Sequence, residues 1–241
     1  MDEPHFFVDC RKGTGLLPKD KKIRRLESTK DDKDFRSSES NDLSELSQKD
    51  GFQLVHYDGK LVKKAIHLYR NPFHNIVSRF HLDLTNSRIA NETDKLELYA
   101  NNEKGFQRWC QDLDAAYEPD PNQPNEFLAS DVLMLMKDVP CRGEVYRYVQ
   151  WHNLANAVVT HNHKPTIIIH YEDYDKKWNE TATAILDFLH LTYQGTTKSF
   201  SAKLDYDSYF SRSQQQKAML LMKRLATDPV WQEIERYFSD L

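Results

Sequence analysis

The chain has 241 residues, 39% of them hydrophobic and 29% charged, with a formal net charge of −4 and a mean hydropathy of −0.76. That length holds one large domain or two small ones, and the slightly acidic balance gives no basis for general capture of nucleic acid, so any anion site must be local. No apolar run reaches the length of a bilayer span and none follows Met1, so neither a membrane anchor nor an export signal is expected in the sequence as written.

Residues 1–50 differ from the rest. Lys19, Lys21, Lys22, Arg24 and Arg25 form a basic run, and Asp31 to Asp50 is acidic and serine-rich with almost no large apolar side chain. Such a segment cannot bury enough surface to offset its ordering entropy. It is expected to be a largely disordered charged stretch before a domain over 51–241, with Phe6-Phe7-Val8 available as a short docked strand. Gly13-Thr14-Gly15 is followed by Leu16-Leu17-Pro18, without the small hydroxyl residues and helix start of a phosphate cradle.

From Phe52 the pattern becomes globular. Phe52, Leu54 and Val55 predict a strand ending at His56-Tyr57, with a turn at Asp58-Gly59. Ala65 to Tyr69 predicts a second strand, buried on at least one face. It stops at Arg70-Asn71-Pro72, where Asn71 can accept from free amides and proline suits the first helical turn. Phe73, Ile76, Val77, Phe80 and Leu84 then recur at helical spacing, as a stripe to lie on the sheet. Arg70 at the carboxyl end of the strand and Ser78 two turns into the helix stand where open α/β sheets take ligands, and a guanidinium with a hydroxyl suits a phosphate. The plainer alternative pairs Arg70 with a carboxylate and leaves Ser78 on the surface.

Asn86 to Asn101 reads as a polar surface excursion, and Phe106 to about Tyr117 as an amphipathic helix ended by a proline-rich loop over 118–124. Leu128 to Met136 is helix-like, with Met134 and Met136 as core filler. Arg142 to Val159 predicts a long helix whose Tyr146, Tyr148, Trp151 and His152 either line a groove or fill the core. His161 and His163 lack partners at ligand spacing, and no metal is expected. Thr166 to Tyr171 predicts another buried strand, with Glu172 and Asp173 placed either to bond the neighbouring turn or to cap the following segment. Helices follow over Thr181 to Leu191, Gln214 to Ala226 and Pro229 to Phe238, the last opened by Asp228 as a cap. Cys10, Cys110 and Cys141 are an odd count, so free thiols are the default. Cys110 and Cys141 are able to pair only if the protein is lumenal, and the sequence leaves that open. Asn91-Glu92-Thr93 and Asn179-Glu180-Thr181 are glycosylation sequons that matter only in a secretory compartment.

Arg70-Asn71-Pro72, with Ser78 eight positions after the arginine, resembles the 3′-phosphate motif of the sulfotransferases that use 3′-phosphoadenosine 5′-phosphosulfate (PAPS). Ile167 to Tyr174, followed by Ala182 to Leu191, resembles the family's strand, Tyr-Glu-Asp turn and helix. Tyr209-Phe210-Ser211 resembles the stretch before its last helices, and Arg142 to Asn153 is similar to the carbohydrate-type branch.

The resemblance covers roughly Phe52 to Leu241. It implies a P-loop-NTPase-like three-layer α/β fold, a parallel sheet flanked by helices, incomplete at the N-terminus because the family's Lys-Ser-Gly-Thr-Thr-like loop for the 5′-phosphosulfate is not matched. It implies sulfuryl transfer from PAPS to a hydroxyl acceptor, a glycan, with Arg70 and Ser78 on the 3′-phosphate and His56 as base, although Leu54 and Val55 replace the lysine and threonine that usually precede that histidine. The alternative is an inactive nucleotide-binding or interaction protein on the same fold. The resemblance places the protein in the Golgi lumen if an anchor lies upstream, and otherwise in the cytoplasm.

Overall fold

Two five-residue β runs that each feed a helix must lie side by side if the helices are to share a core, and this sets the centre of the molecule. A computed structural model of the chain describes residues 8–9, 14–18, 52–56, 62–116, 128–193 and 206–241. The chain divides into two units, residues 1–65 with 158–165, and residues 66–157 with 166–241.

The first unit holds an antiparallel sheet of β1 (Val8–Asp9), β2 (Thr14–Pro18) and β3 (Phe52–His56), in that order. Thr14 pairs with His56 and Pro18 with Phe52. The Phe52–His56 strand therefore forms where its spacing predicts, but in an antiparallel sheet rather than a parallel one. Gly15 is paired with both Val8 and Val55, so Thr14 and Gly15 are extended backbone. The rest of the charged stretch expected over residues 1–50 lies outside the described residues, as does the loop over 118–124.

The parallel sheet consists of β4 (Ala65–Tyr69) and β5 (Thr166–His170). The Ala65 amide donates to the Pro165 carbonyl at 2.9 Å and the Tyr171 amide to the Tyr69 carbonyl at 2.8 Å, start to start and end to end. The burial of β4 inverts the expectation from its composition. His67 and Tyr69 are buried, while Ile66 and Leu68 are 45% and 44% exposed. Alternation sends every second side chain to one face, and the face that receives a covering layer here is the one carrying the aromatic rings.

Asn71 caps α1 (Pro72–Ile89), its side-chain oxygen accepting from the amides of Phe73 and His74 at 2.9 and 3.3 Å. This satisfies donors that the first helical turn leaves free. Phe73, Ile76, Val77, Phe80 and Leu84 are all buried. Their ring contacts are with other helices more than with the sheet: Phe80 meets Phe106 and Trp109 of α3 (Glu103–Ala116), and Phe73 meets Phe210 and Phe238. Between these helices, the expected surface excursion is largely exposed, and it is helical, formed by the last turn of α1 followed by α2 (Thr93–Leu98).

The remaining helices are α4 (Ser130–Met136), α5 (Arg142–His161), α6 (Asp173–Lys176), α7 (Trp178–Leu189), α8 (Arg212–Leu225) and α9 (Asp228–Ile234), which runs into a 3₁₀ turn over Glu235–Phe238. Met134 is 72% exposed and is not core filler. Asp228 is the first helical residue of α9 and Thr227 its cap. The Thr227 amide donates to Asn153 Oδ1 at 3.0 Å, which ties the start of α9 to α5.

Helix α7 ends on His190 at φ 57, with the His190 amide donating to Asp187 and the Leu191 amide to Leu186. A left-handed residue with these two bonds closes the last turn, but a side chain there is strained. His190→Gly is expected to raise stability by about 0.5–1 kcal/mol, net of the entropy glycine adds to the unfolded chain, as read from the urea midpoint.

Cys110 of α3 and Cys141, just before α5, form a disulfide, both buried. The free-thiol expectation is corrected. A sequence count cannot show that a loop brings two cysteines to a Cα separation of 4.5 Å. The bridge spans 31 residues, so replacing both cysteines with alanine is expected to lower stability by about 3 kcal/mol, with reductant destabilising the parent and leaving the variant unchanged.

Candidate functional site

Arg70 is the first residue after β4, and α1 begins two residues later. Its position is fixed by its neighbours. The Tyr148 hydroxyl donates to the Arg70 carbonyl at 2.7 Å, and the Asn71 amide donates to Glu172 Oε1 at 2.8 Å. Glu172 also accepts from the Tyr237 hydroxyl at 3.0 Å through its other oxygen. The carboxylate therefore bonds the neighbouring turn through one oxygen and the Tyr237 hydroxyl through the other. Behind it, His170 Nδ1 lies 2.7 Å from the Tyr237 hydroxyl, and Arg236 pairs with Asp173 at 3.0 Å. Burial, followed by the Glu172 charge, pushes the Tyr237 phenol well above its ordinary value. It stays a neutral donor.

With its backbone pinned, the Arg70 side chain lies against the ring that follows β5. Its guanidinium carbon sits 4.5 Å over the Tyr171 ring, a stack that holds the plane by cation–π attraction. Its Nε is buried and has no hydrogen-bond partner. Buried donors are nearly always paired, so an orphaned one calls for an explanation. The carboxylate pairing considered for Arg70 is not found among the described residues.

Ser78 lies on α1, half-buried. Burial raises the pKa of the Tyr206 phenol, and the Arg70 charge and then the Ser78 hydroxyl pull it back. Arg70 and Ser78 thus address one group, Tyr206, whose ring also meets His74 edge-on at 5.8 Å and stacks on His81 at 5.3 Å. His74, Ser78 and His81 recur at the spacing of one helix face. Nothing in the polar, aperiodic run around Tyr206 marks it, and the sequence reading missed it. The stacking role of Tyr171 was open to inference from its place beside Glu172.

His56 is the last residue of β3, in the first unit, whereas Arg70 and Ser78 belong to the second. Of the α5 aromatics, Tyr148 and His152 are buried and Trp151 is 56% exposed. The first two are core, Tyr146 is half-buried, and Trp151 offers an exposed flat surface.

Residues 59–239 match the family model described as Sulfotransferase domain, which is more than half of the chain. No curated protein and no solved structure matches it.

Proposed function

The chain belongs to the sulfotransferase family, and from that premise we propose that it moves the sulfuryl group of PAPS to a glycan hydroxyl, with Arg70 and Ser78 holding the donor's 3′-phosphate and His56 serving as base. The observation that carries this reading is the buried, unpartnered Nε of Arg70 beside the start of α1. A phosphate dianion there would pair the orphaned donor, receive a charge-assisted fork, and lie near a helix N-terminus. The stack on Tyr171 limits the rotamer freedom that binding would otherwise remove.

In the reaction, the base removes the acceptor's proton, the acceptor oxygen bonds to sulfur, and the bond from sulfur to the bridging phosphate oxygen breaks. Arg70 and Ser78 do not touch those atoms. They anchor a remote group, and binding energy so placed fixes where the sulfate sits. A P-loop-NTPase-like fold is part of the same reading, supported by the parallel β4–β5 pair with helices following each strand. A glycan is favoured by exposed Trp151, on whose face a sugar can stack, and by the carbohydrate-type stretch around it. The Cys110–Cys141 bridge favours an oxidising compartment such as the Golgi lumen.

A second reading, a nucleotide binder without transfer, is favoured by one observation. The Thr14-Gly15 stretch is paired strand and cannot cradle a phosphosulfate. Calorimetry with 3′,5′-adenosine bisphosphate and a labelled-donor screen over sugars and small phenols separate the two. Heat of binding together with label in a sugar is the expected outcome. Binding without label favours the second reading, and no heat from folded protein rejects both.

A further inference from the structure

The two sequons occupy very different structures. Asn91 sits just beyond α1 at φ 57, with its amide donating to the Arg88 carbonyl and the Glu92 amide donating to the Ser87 carbonyl at 2.9 Å. These are the paired bonds of a left-handed helix stop, and asparagine is among the few side chains that tolerate the position. The Thr93 amide then folds back to the Asn91 carbonyl at 3.0 Å, across a Glu92 at φ −80 and ψ 75. This is a tight three-residue turn. Asn91, Glu92 and Thr93 are all exposed.

Asn179, by contrast, is the second residue of α7. Its Thr181 is 8% exposed, with the amide bonded to the Lys177 carbonyl and the hydroxyl donating to the Asp173 carbonyl at 3.4 Å. That hydroxyl is engaged, and the sequon is wound into a helix that would have to open.

We propose that Asn91 carries an N-linked glycan and that Asn179 does not. The inference rests on the lumenal compartment proposed above, for which the buried disulfide is the separate observation. In the step itself, the Asn91 amide nitrogen displaces a polyprenyl diphosphate from C1 of its oligosaccharide. The N–C1 bond forms, the C1–oxygen bond to the diphosphate breaks, and the amide gives up one proton. The exposed turn presents that nitrogen and leaves open space for the sugar.

The full chain is made in eukaryotic cells, treated with an amide-cleaving glycosidase in ¹⁸O water, and mapped by mass spectrometry, with its thiols counted in the same sample. The expected result is an ¹⁸O-labelled aspartate at position 91, an unlabelled Asn179, and a single gel shift. Thr93→Ala abolishes that shift and Asn179→Gln keeps it. Asn91→Gly, which suits the left-handed backbone, also removes it while the protein stays folded. An unmodified Asn91 in a chain with its Cys110–Cys141 bridge formed overturns the proposal and spares the compartment. Free thiols at both cysteines overturn the compartment and the proposal together. A glycan on Asn179 overturns the distinction between the sequons.

Discussion

Replacing Arg70 with alanine is expected to weaken binding of 3′,5′-adenosine bisphosphate by ~100-fold or more, about 3 kcal/mol, because a charge-assisted fork to a dianion is lost. The folded protein should be nearly indifferent to the change. The Arg70 carbonyl, which takes the Tyr148 hydroxyl, remains, and the Nε that disappears had no partner. What is lost to the fold is the stack on Tyr171, worth about 0.5–1 kcal/mol. Arg70→Lys should recover charge but not the flat fork and should bind weakly. Ser78→Ala removes one neutral donor, and its effect is expected near tenfold, about 1.4 kcal/mol. Calorimetry on all three, with urea midpoints to confirm folding, tests the site. An Arg70→Ala protein that binds as tightly as the parent removes Arg70 from the pocket.

The geometry around Arg70 was legible to different depths. The strand stop, the Asn71 cap, the proline start and the buried stripe on α1 follow from short-range rules, because a cap and a 3.6-residue period act within a few residues of their cause. Helix α8 carries such a signal as well: Ser211 and Gln214 bond each other's backbone amides as a capping box, and reading the helix from Gln214 placed its start two residues late. Tyr206 and the Cys110–Cys141 bridge depend on contacts between segments far apart in the chain, and single-chain periodicity holds no record of them. The inverted face of β4 was illegible for a related reason. Ile66 and Leu68 are the more apolar pair, but which face a five-residue strand buries is decided by where the covering helix lands, and α5 brings Tyr148 and His152 to the side of His67 and Tyr69.

That landing has a consequence for acid stability. His67 and His152 are buried with His67 Nε2 and His152 Nδ1 2.8 Å apart, so one ring donates and the other accepts. His67 stacks on Tyr69 and meets Trp151 edge-on. His152 stacks on Tyr69, meets Tyr148, and feels the charge of His170. Among the described residues, no carboxylate faces either ring closely enough to favour a cation. Burial lowers His67 to about 4, and burial with the neighbouring histidines lowers His152 to about 3. The unfolded chain takes up these protons near pH 6.5, and the folded chain refuses them until far lower, so the unfolded state binds more protons in between and stability rises with pH. The full contribution is present above about pH 6.5. Each histidine costs about 1.4 kcal/mol per pH unit as the pH falls below that, and by pH 5 the pair removes about 4 kcal/mol, a large part of the 5–15 kcal/mol of an ordinary domain. His67 lies three residues before Arg70 on β4, so the strand that carries the proposed phosphate contact is the one that acid loosens. The urea midpoint should fall steeply between pH 6.5 and 5, and His67→Gln should lose about half of that slope while keeping a donor and an acceptor for His152. A midpoint that stays level over that interval would show that the pair does not stay neutral in the folded protein.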